Sequence, residues 1–387
     1  MKLQPQPYAL RILQVYFGSS QAPHTESAEP DLNLIINMSQ TRQELFKTHL
    51  TSPDKPLRPI LIALNPDASW LMSFPRPPAE RASSRKAFFH IVYEPWLQGD
   101  TSLFATWFFN IGLSTKAAVS DAQGVESLIQ EIEDAAACHL PPSQADTPAE
   151  GTYHGNVDVI MLAFHYLDHV HEATLKTFDE NIPIIATPEA AAVVKPWNYF
   201  KTISLSHDMD ISAKTWRSPE LHPKNLPDWL TVLRLPGHAV LNYSTALIWT
   251  HQTEKNEEVH ETILGAPHGT YLDQGPLDAF INAEPKTEIL ALLHGLKESY
   301  GITGQTTLGA KSGLALYRKL GGAKIWITSH DDDLKYSGLF LYITRTTDMP
   351  RSLQWALDEE RAQNGELKEV DVPNFTRVAN GGAVVLE

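Results

Sequence analysis

Short apolar runs separated by turn-forming residues dominate the chain from position 59 onward. Three such runs are rich in β-branched and aromatic residues and follow one another at the spacing of hairpins; they lie at 59–64, 69–74 and 87–95. This pattern predicts a meandering antiparallel sheet. The next apolar run, at 157–164, precedes a helical pattern at 171–178 and further strand patterns at 183–187 and 202–205. Strands that alternate with helices in this way predict parallel strands covered by helices.

The second half of the chain repeats this pattern of strands and helices. Strand patterns recur at 231–235, 245–250, 261–265, 288–293 and 324–329, and a helical pattern at 308–320 ends at a Gly-Gly pair. Each half thus opens with antiparallel strands and continues with strand–helix units. We therefore predict an α/β fold in the form of a four-layer αββα sandwich.

The 387 residues suit two or three domains, or one large α/β domain with insertions. Segments rich in Ser, Pro and charge at 18–31 and 51–59 suggest an N-terminal extension over residues 1–58. The predicted sandwich domain then covers residues 59–345. The remaining residues, 346–387, have a polar helical pattern, and we expect this tail to pack on the domain.

Composition and charge narrow the class of protein. The formal net charge is −15 and no basic run is present, so nucleic acid is an unfavourable partner. No window reaches 18 uninterrupted apolar residues, and the N-terminus lacks the pattern of a signal peptide. The single cysteine, Cys138, cannot form an intramolecular disulfide. We therefore expect a cytoplasmic protein without a transmembrane segment, in which the aromatic stretch 103–113 is a buried segment.

Histidines follow several of the predicted strands. Asp168 and His169 come just after the strand at 157–164, whereas His268 and His330 each follow a later apolar run. His238 and His294 stand in comparable places. If the strands are parallel, these side chains meet at one carboxyl edge, where α/β folds place their sites. An adjacent Asp and His can offer an oxygen and a nitrogen to one ion. Taken singly, each residue favours a solvated loop or a hydrogen-bonded turn over a ligand.

The order of these motifs resembles the metallo-β-lactamase superfamily, over about residues 59–345. The similarity is to the branch with N-acyl-phosphatidylethanolamine phospholipase D-like and ascorbate-lactonase-like proteins, and within it to a fungal-type subgroup with an incomplete H-x-H-x-D-H motif. IVYEP carries Glu94-Pro95 where the family has Asp-Pro, and AFHYLDHVHEATL stands in place of the H-x-H-x-D-H loop. TILGAPHGTY, ALLHG and KLGGAKIWITSHDDD match the later motifs in order. The resemblance implies the αββα fold and metal-dependent hydrolysis.

The departures from the family pattern imply that one metal site is lost. Phe164 and Tyr166 occupy the first two histidine positions of the loop, and His268 occupies the position of the bridging Asp. The second site matches residue by residue in Asp168, His169 and His330. The resemblance thus implies one divalent ion, with zinc as the expected metal.

The resemblance also gives two residues alternative roles in that site. It implies that His268 is either a fourth ligand or a general base. Tyr166 either donates a hydrogen bond or fills the vacated space as a packed aromatic residue. We therefore take His268, Tyr166 and Asp168 as the candidate catalytic residues.

Three functions remain open from the sequence. The first is a hydrolase of an ester, lactone, amide or phosphoester bond in a small hydrophobic substrate, which uses the single retained metal. The second is a metal-independent cyclase or isomerase of a hydrophobic intermediate of specialised metabolism, with Trp96 and the segment 106–110 lining an apolar pocket. The third is a binding protein without catalytic activity. The sequence does not identify the substrate or the oligomeric state.

Overall fold

The computed structural model describes residues 32–141, 155–237, 240–301, 304–342, 347–364 and 371–387. The helices in this part of the chain are α1 Leu32–Leu50, α2 Pro78–Ser84, α3 Ala122–Ala135, α4 Glu172–Leu175, α5 Pro188–Val194, α6 Gly275–Asn282, α7 Gly309–Lys319 and α8 Leu353–Asn364. The strands of the first half are β1 Ile60–Ala63, β2 Trp70–Pro75, β3 Phe88–Tyr93, β4 Thr101–Leu103, β5 Phe109–Gly112, β6 Val159–Leu162, β7 Ile184–Ala186, β8 Ile203–Leu205 and β9 His207–Asp208. The strands of the second half are β10 Leu230–Leu235, β11 Ser244–Gln252, β12 Glu258–Gly265, β13 Glu288–Leu293, β14 Glu298–Gly301, β15 Gly304–Leu308, β16 Ile325–Ile327, β17 Lys335–Ser337, β18 Thr347–Met349, β19 Phe375–Thr376 and β20 Ala383–Val385.

Two seven-stranded sheets form the centre of the molecule. The first has the order β20-β1-β2-β3-β6-β7-β8, and the second has the order β19-β16-β13-β12-β11-β10-β9. β1, β2 and β3 are antiparallel, as predicted, whereas β3, β6, β7 and β8 are parallel to one another. In the second sheet, β10 to β12 are antiparallel, and β12, β13 and β16 are parallel. Two small three-stranded sheets, β15-β14-β18 and β17-β5-β4, complete the described strands.

Three apolar clusters show that the two sheets are the inner layers of a sandwich. One cluster joins the outer face of the first sheet to α1, α3 and α5, and another joins the outer face of the second sheet to α6, α7 and α8. The cluster between them contains side chains from both sheets. The predicted four-layer αββα sandwich is therefore confirmed.

The burial of β1 illustrates how the layers are specified. Ile60 and Ile62 belong to the cluster beneath the helices, whereas Leu61 and Ala63 belong to the cluster between the sheets. Successive side chains of a strand point to opposite faces, and here both faces are covered. A strand of this kind has no polar face, which is why its sequence is a continuous apolar run.

The parallel arrangement brings several loops to one edge of the sandwich. β1, β3 and β6 run in the same direction, so the loops that follow them leave the first sheet at its carboxyl edge. The loops after β12 and β16 likewise leave the second sheet at one edge. These loops carry the motifs singled out from the sequence.

Both ends of the described chain pack on the sandwich. Arg42 in α1 forms an ion pair with Glu131 in α3 at 2.7 Å and donates a hydrogen bond to the carbonyl oxygen of Gly381 at 2.7 Å. β20 pairs with β1, and β19 pairs with β16, so the C-terminal residues add an edge strand to each sheet. The boundaries at 59 and 345 stay predictions, and residues 1–31 of the expected extension lie outside the described residues.

One part of the predicted burial is wrong. The stretch 103–113 forms the β4–β5 hairpin, in which Phe109 and Ile111 are buried, but Phe104 and Trp107 are more than three-fifths exposed. The hairpin buries only one side because it forms a separate small sheet with β17 and is not part of either large sheet. None of the helices in the described segments has the length and apolar composition of a membrane span.

Glu133 ties α3 to the start of β3, and its loss should destabilise the sandwich. Its carboxylate accepts hydrogen bonds from the backbone N–H groups of Ala87 and Phe88 at 2.7 and 2.9 Å, and lies 2.9 Å from His90 Nε2. Glu133→Ala leaves these buried groups unpaired, so we expect the free energy of unfolding to fall by about 2–4 kcal/mol in chemical denaturation.

Asp134→Ala, on the exposed side of the same helix, is the matched control. Its carboxylate accepts a hydrogen bond only from Gln130 among the hydrogen bonds recorded for the described residues, and its loss should change the free energy by less than about 0.5 kcal/mol. Equal effects of the two substitutions would show that the buried contacts of Glu133 do not stabilise the fold.

Candidate metal centre

Three buried histidines from separate loops converge at the carboxyl edge of the sandwich. His169 follows β6, His268 follows β12 and His330 follows β16. Each offers one ring nitrogen, and these atoms all lie within 4.8 Å of one another. Among the described residues, this is the group of histidine, cysteine and acidic side chains with the geometry to hold a metal ion. The ring centroids of His268 and His330 are 4.5 Å apart, and those of His169 and His330 are 5.1 Å apart.

Asp168 places a carboxylate oxygen beside the same cluster. Its Oδ2 lies 3.8 Å from His169 Nε2 and 4.0 Å from His330 Nε2. The side chain is buried. Asp168 therefore lies beside two of the three histidines, but it is not part of the group whose donor atoms all lie within 4.8 Å of one another.

The orientation of His169 is fixed by a buried glutamate. Glu94 Oε2 lies 2.7 Å from His169 Nδ1, and Glu94 Oε1 accepts a hydrogen bond from the backbone N–H of Phe164 at 2.9 Å. Both side chains of the ion pair are fully buried. His169 Nε2 consequently faces the cluster, where it has no hydrogen-bond partner among the described residues.

His330 is held in the same way from the opposite sheet. Its Nδ1 lies 2.7 Å from Asp67 Oδ2, and its backbone N–H donates to the carbonyl oxygen of Asp67 at 2.8 Å. Asp67 lies in the loop after β1, which Asn65 organises by accepting hydrogen bonds from the backbone N–H groups of Asp67 and Ser69. A histidine whose Nδ1 is bound to a carboxylate presents Nε2 as a ligand, and this pairing raises its basicity.

One residue of each carboxylate–histidine pair has a strained backbone. Glu94 has φ +47° and His330 has φ +60°, values in the left-handed region that non-glycine residues seldom adopt. Each such residue costs on the order of 1–3 kcal/mol unless its surroundings enforce it, and strained residues cluster at functional sites. The strain is therefore independent evidence that the orientations of Glu94 and His330 matter.

His268 differs from the other two histidines in its environment. Its Nδ1 lies 3.3 Å from Thr307 Oγ1, a hydroxyl and not a carboxylate, and its Nε2 is buried without a hydrogen-bond partner among the described residues. Asn242 fixes the loop by donating to the carbonyl oxygen of His268 at 2.8 Å. Burial and the neighbouring His330 and His169 hold the pKa of His268 well below its usual value. The ring is therefore neutral at pH 7 and retains a lone pair at one nitrogen.

At His169 and Asp67, paired charges outweigh the effect of burial on the pKa. Burial alone would lower the pKa of His169, but the charges of Glu94 and Asp168 outweigh it and raise this pKa to about 9. Burial opposes the ionisation of Asp67, yet its contact with His330 lowers the pKa of this carboxyl to about 2. The metal-free site is thus a set of buried charges in which a proton occupies His169 at pH 7.

Aromatic side chains form one wall of the site. Phe164 stacks on Tyr243 with ring centroids 4.3 Å apart and an interplanar angle of 17°, and its ring lies 5.3 Å from that of His268. Tyr166 is buried beside His165, with ring centroids 4.2 Å apart, and lies 6.4 Å from the ring of His268. The two positions that the family resemblance assigns to histidine thus contribute apolar rings next to the cluster.

The other histidines singled out from the sequence lie elsewhere. His294 is fully buried, with its Nδ1 2.6 Å from the carbonyl oxygen of Gly295, and it is not part of the cluster. His171 caps α4 by accepting a hydrogen bond from the backbone N–H of Thr174. His238 lies outside the described residues.

Sequence reasoning missed the partners that orient the histidines. Asp67 was not singled out, and Glu94 was noted only as a departure from an Asp-Pro pair. The position of Glu94, directly after a predicted buried strand, was a usable signal, because a carboxylate at such an edge needs a partner. Nothing in the sequence around Thr307 indicates its contact with His268.

Comparisons with known proteins find similarity among solved structures. The chain is similar to an isothiocyanate hydrolase from Delia radicum gut bacteria, with 16% identity, a TM-score of 0.47, and coverage of 85% of this chain and 99% of that one. A possible metal-dependent hydrolase from Veillonella parvula has 10% identity and a TM-score of 0.46, with coverage of 86% and 100%. A metallo hydrolase from Ignicoccus hospitalis has 9% identity and a TM-score of 0.41, with coverage of 85% and 98%.

No protein-family model and no curated protein matches the chain. At these low identities and TM-scores, the solved structures assign neither a substrate nor an activity to it. Its own two seven-stranded sheets and flanking helices form the αββα sandwich that the sequence predicts.

The raised pKa of His169 predicts how the stability of the metal-free protein depends on pH. Its folded pKa of about 9 exceeds the unfolded value of about 6.5, so the proton stabilises the fold below pH 6.5. This contribution is lost as the pH rises through about 9. We expect the melting temperature of the metal-free protein to fall between pH 6.5 and 9, and to fall less in Glu94→Gln.

Glu172→Gln, which removes an exposed carboxylate paired with Lys176 on the next turn of the chain, is the control. It should retain the decline seen in the wild type. A decline of equal size in Glu94→Gln would mean that the Glu94–His169 pair does not hold the proton.

Proposed function

We propose that the chain is a metal-dependent hydrolase that holds one divalent ion, zinc, through His169, His268, His330 and Asp168. The observation that carries this proposal is the convergence of three buried imidazoles, two of which have an Nε2 atom without a hydrogen-bond partner among the described residues. Buried polar atoms are rarely left unsatisfied, so each such atom calls for an explanation. A shared cation would satisfy both of these nitrogens.

The donor set fits such an ion. Three imidazoles and one carboxylate suit zinc and related transition metals, and bonds of about 2.0–2.1 Å place tetrahedral ligands roughly 3.3 Å apart. The observed separations are 3.8 and 4.0 Å from Asp168 and at most 4.8 Å among the histidines. The three histidines are thus near the spacing of ligands to one ion, and the side chain of Asp168 has to move to join all three.

A bound divalent ion supplies Lewis acidity, which acidifies water and polarises a carbonyl or phosphoryl oxygen. The chain's own residues provide the setting for this chemistry. Glu94 and Asp67 keep Nδ1 of their histidines occupied, so each Nε2 stays directed at the same point. Phe164 and Tyr243 keep bulk water from one side of that point. This arrangement supports hydrolysis of an ester, lactone, amide or phosphoester in a small hydrophobic substrate.

His268 has two compatible roles in this proposal. As a fourth ligand it would complete the set of side chains that hold the ion. As a general base it accepts a proton from water held beside the other three ligands, and its neutral ring at pH 7 suits both roles. His268→Gln separates them, because only a ligand role makes zinc binding depend on this side chain.

The aromatic wall favours a second candidate function. Phe164 and Tyr243 stack next to the cluster and make it more apolar than a site built only from ligands. Such a wall suits a metal-independent cyclase or isomerase that folds a hydrophobic intermediate into a reactive conformation. Chelation distinguishes the two functions, because only the hydrolase needs the ion.

Metal analysis tests the hydrolase directly. The purified protein loaded with zinc should retain about one equivalent after desalting, because three imidazoles already offer ring nitrogens within 4.8 Å of one another. His169→Ala and His330→Ala should each lower retention at least about tenfold, and chelation should abolish hydrolysis of a p-nitrophenyl ester. Inductively coupled plasma mass spectrometry and a chromogenic assay measure the two quantities.

His49→Ala is the control for these variants. His49 lies in α1, where it pairs with Glu387 far from the cluster, and its loss should leave zinc retention unchanged. Zinc that remains in His169→Ala and His330→Ala would overturn the proposed centre. Turnover of an unsaturated substrate that survives chelation without a change of mass would favour the cyclase or isomerase.

A further inference from the structure

Among the described residues, His268 is the cluster histidine whose Nδ1 faces a hydroxyl group and not a carboxylate. The Nδ1 atoms of the other two histidines each lie 2.7 Å from a carboxylate oxygen, whereas that of His268 lies 3.3 Å from Thr307 Oγ1. Hydrogen bonds to a charged group are shorter and roughly twice as strong as those between neutral groups. His268 is therefore held by a weaker contact of a different kind.

The backbone fixes Thr307 against His268. Thr307 lies in β15 and is only 4% exposed. Leu308, the next residue, donates its backbone N–H to the carbonyl oxygen of His268 at 3.0 Å. Asn242 donates to the same oxygen at 2.8 Å and to the carbonyl oxygen of Thr306 at 3.1 Å. These contacts join β15 to the loop after β12 and set the position of the hydroxyl relative to the ring.

The close approach of β15 to this loop depends on Gly269. Its φ is +81°, and a Cβ at this position would lie 2.7 Å from the Cβ of Leu308. Any other residue would therefore be strained and would push β15 away from the loop. The lack of a side chain at Gly269 lets Thr307 reach the ring of His268.

The hydroxyl of Thr307 bears on which nitrogen of His268 carries the proton. A neutral imidazole has one N–H group, and a threonine hydroxyl can accept from it or donate to the other nitrogen. Nε2 of His268 is buried and has no hydrogen-bond partner among the described residues, so a proton there has no recorded acceptor. A proton on Nδ1 has the oxygen of Thr307 as its acceptor. The contact therefore favours the form with a lone pair on Nε2.

We propose that Thr307 is a positioning residue that holds His268 as a metal ligand through Nε2; this inference rests on the proposed metal centre. It assigns His268 the role of ligand over that of general base. A histidine that takes a proton from water becomes a cation, which a carboxylate at the other ring nitrogen stabilises in enzymes that use such a base. A neutral hydroxyl stabilises this cation less, whereas a ligand stays neutral and needs only an acceptor for its Nδ1–H.

The zinc affinity of a set of variants tests the role of the hydroxyl. Thr307→Val keeps the shape of the side chain and removes the acceptor, so we expect the dissociation constant for zinc to rise about tenfold in competition with a chromogenic chelator. Thr307→Ser keeps the hydroxyl and should bind zinc as the wild type does. In the His268→Gln background, Thr307→Val should change the affinity less than about twofold, because the ring on which it acts is gone.

Thr306→Val is the matched control. Thr306 precedes Thr307 in β15, and its hydroxyl donates to the carbonyl oxygen of Ser299 at 3.2 Å. This variant makes the same substitution one residue away from the contact with His268, and the zinc affinity should stay unchanged.

Long-range proton–nitrogen NMR spectra of the metal-free protein give a second readout that needs no ion. The wild type and Thr307→Ser should show His268 with its proton on Nδ1, and Thr307→Val should lose this preference. Four results would overturn the role of Thr307: a proton on Nε2 in the wild type, unchanged zinc affinity in Thr307→Val, equal losses in Thr307→Ser and Thr307→Val, or a full effect of Thr307→Val in the His268→Gln background. Failure of the wild type to bind zinc would instead overturn the metal centre, and this inference with it.

Discussion

The pairing of buried carboxylates with buried imidazoles is the interaction on which the site depends. Glu94 and Asp67 each bind the Nδ1 of a histidine at 2.7 Å, one from each end of the cluster. Neither carboxylate could be buried as an ion without such a partner. The Asp67–His330 pair also joins the two sheets, because Asp67 follows β1 in the first sheet and His330 follows β16 in the second. The same contact therefore orients a histidine of the site and joins the two halves of the sandwich.

The fold was largely predictable because its strands are buried on both faces. Continuous apolar runs such as 59–64 and 157–164 leave little doubt about strand position, and the alternation with helices gives the parallel order. The β4–β5 hairpin was mispredicted because an aromatic run looks the same whether it lies in a core or covers only one side of a small sheet. The helix predicted at 171–178 is a single turn, Glu172–Leu175. The apolar pattern over so few residues repeats too seldom to fix where the helix ends.

The sequence points to residues that the structure places close together, but it does not indicate the contacts that orient them. Asp168, His169 and His330 stand in matched motif positions, and the structure brings them together. The roles of Asp67 and Thr307 depend on contacts between residues far apart in the chain, which no local pattern records. Left-handed backbone at Glu94 is equally invisible in the sequence, since Glu is not among the non-glycine residues enriched there.

The pairing of β20 with β1 affects the order in which the chain folds. Ile60 in β1 pairs with Ser73 on one side and with Val385 on the other, so one neighbour is local and the other is near the end of the described chain. Closing so long a loop is slow and entropically unfavourable compared with forming the hairpin. The turn that holds Asp67 leaves β1 directly, and Gly381 and Gly382 bond to the backbone of Ala63. A nascent chain would therefore form the β1–β2 hairpin early, and the turn that holds Asp67 would be fixed only after the last strand docks.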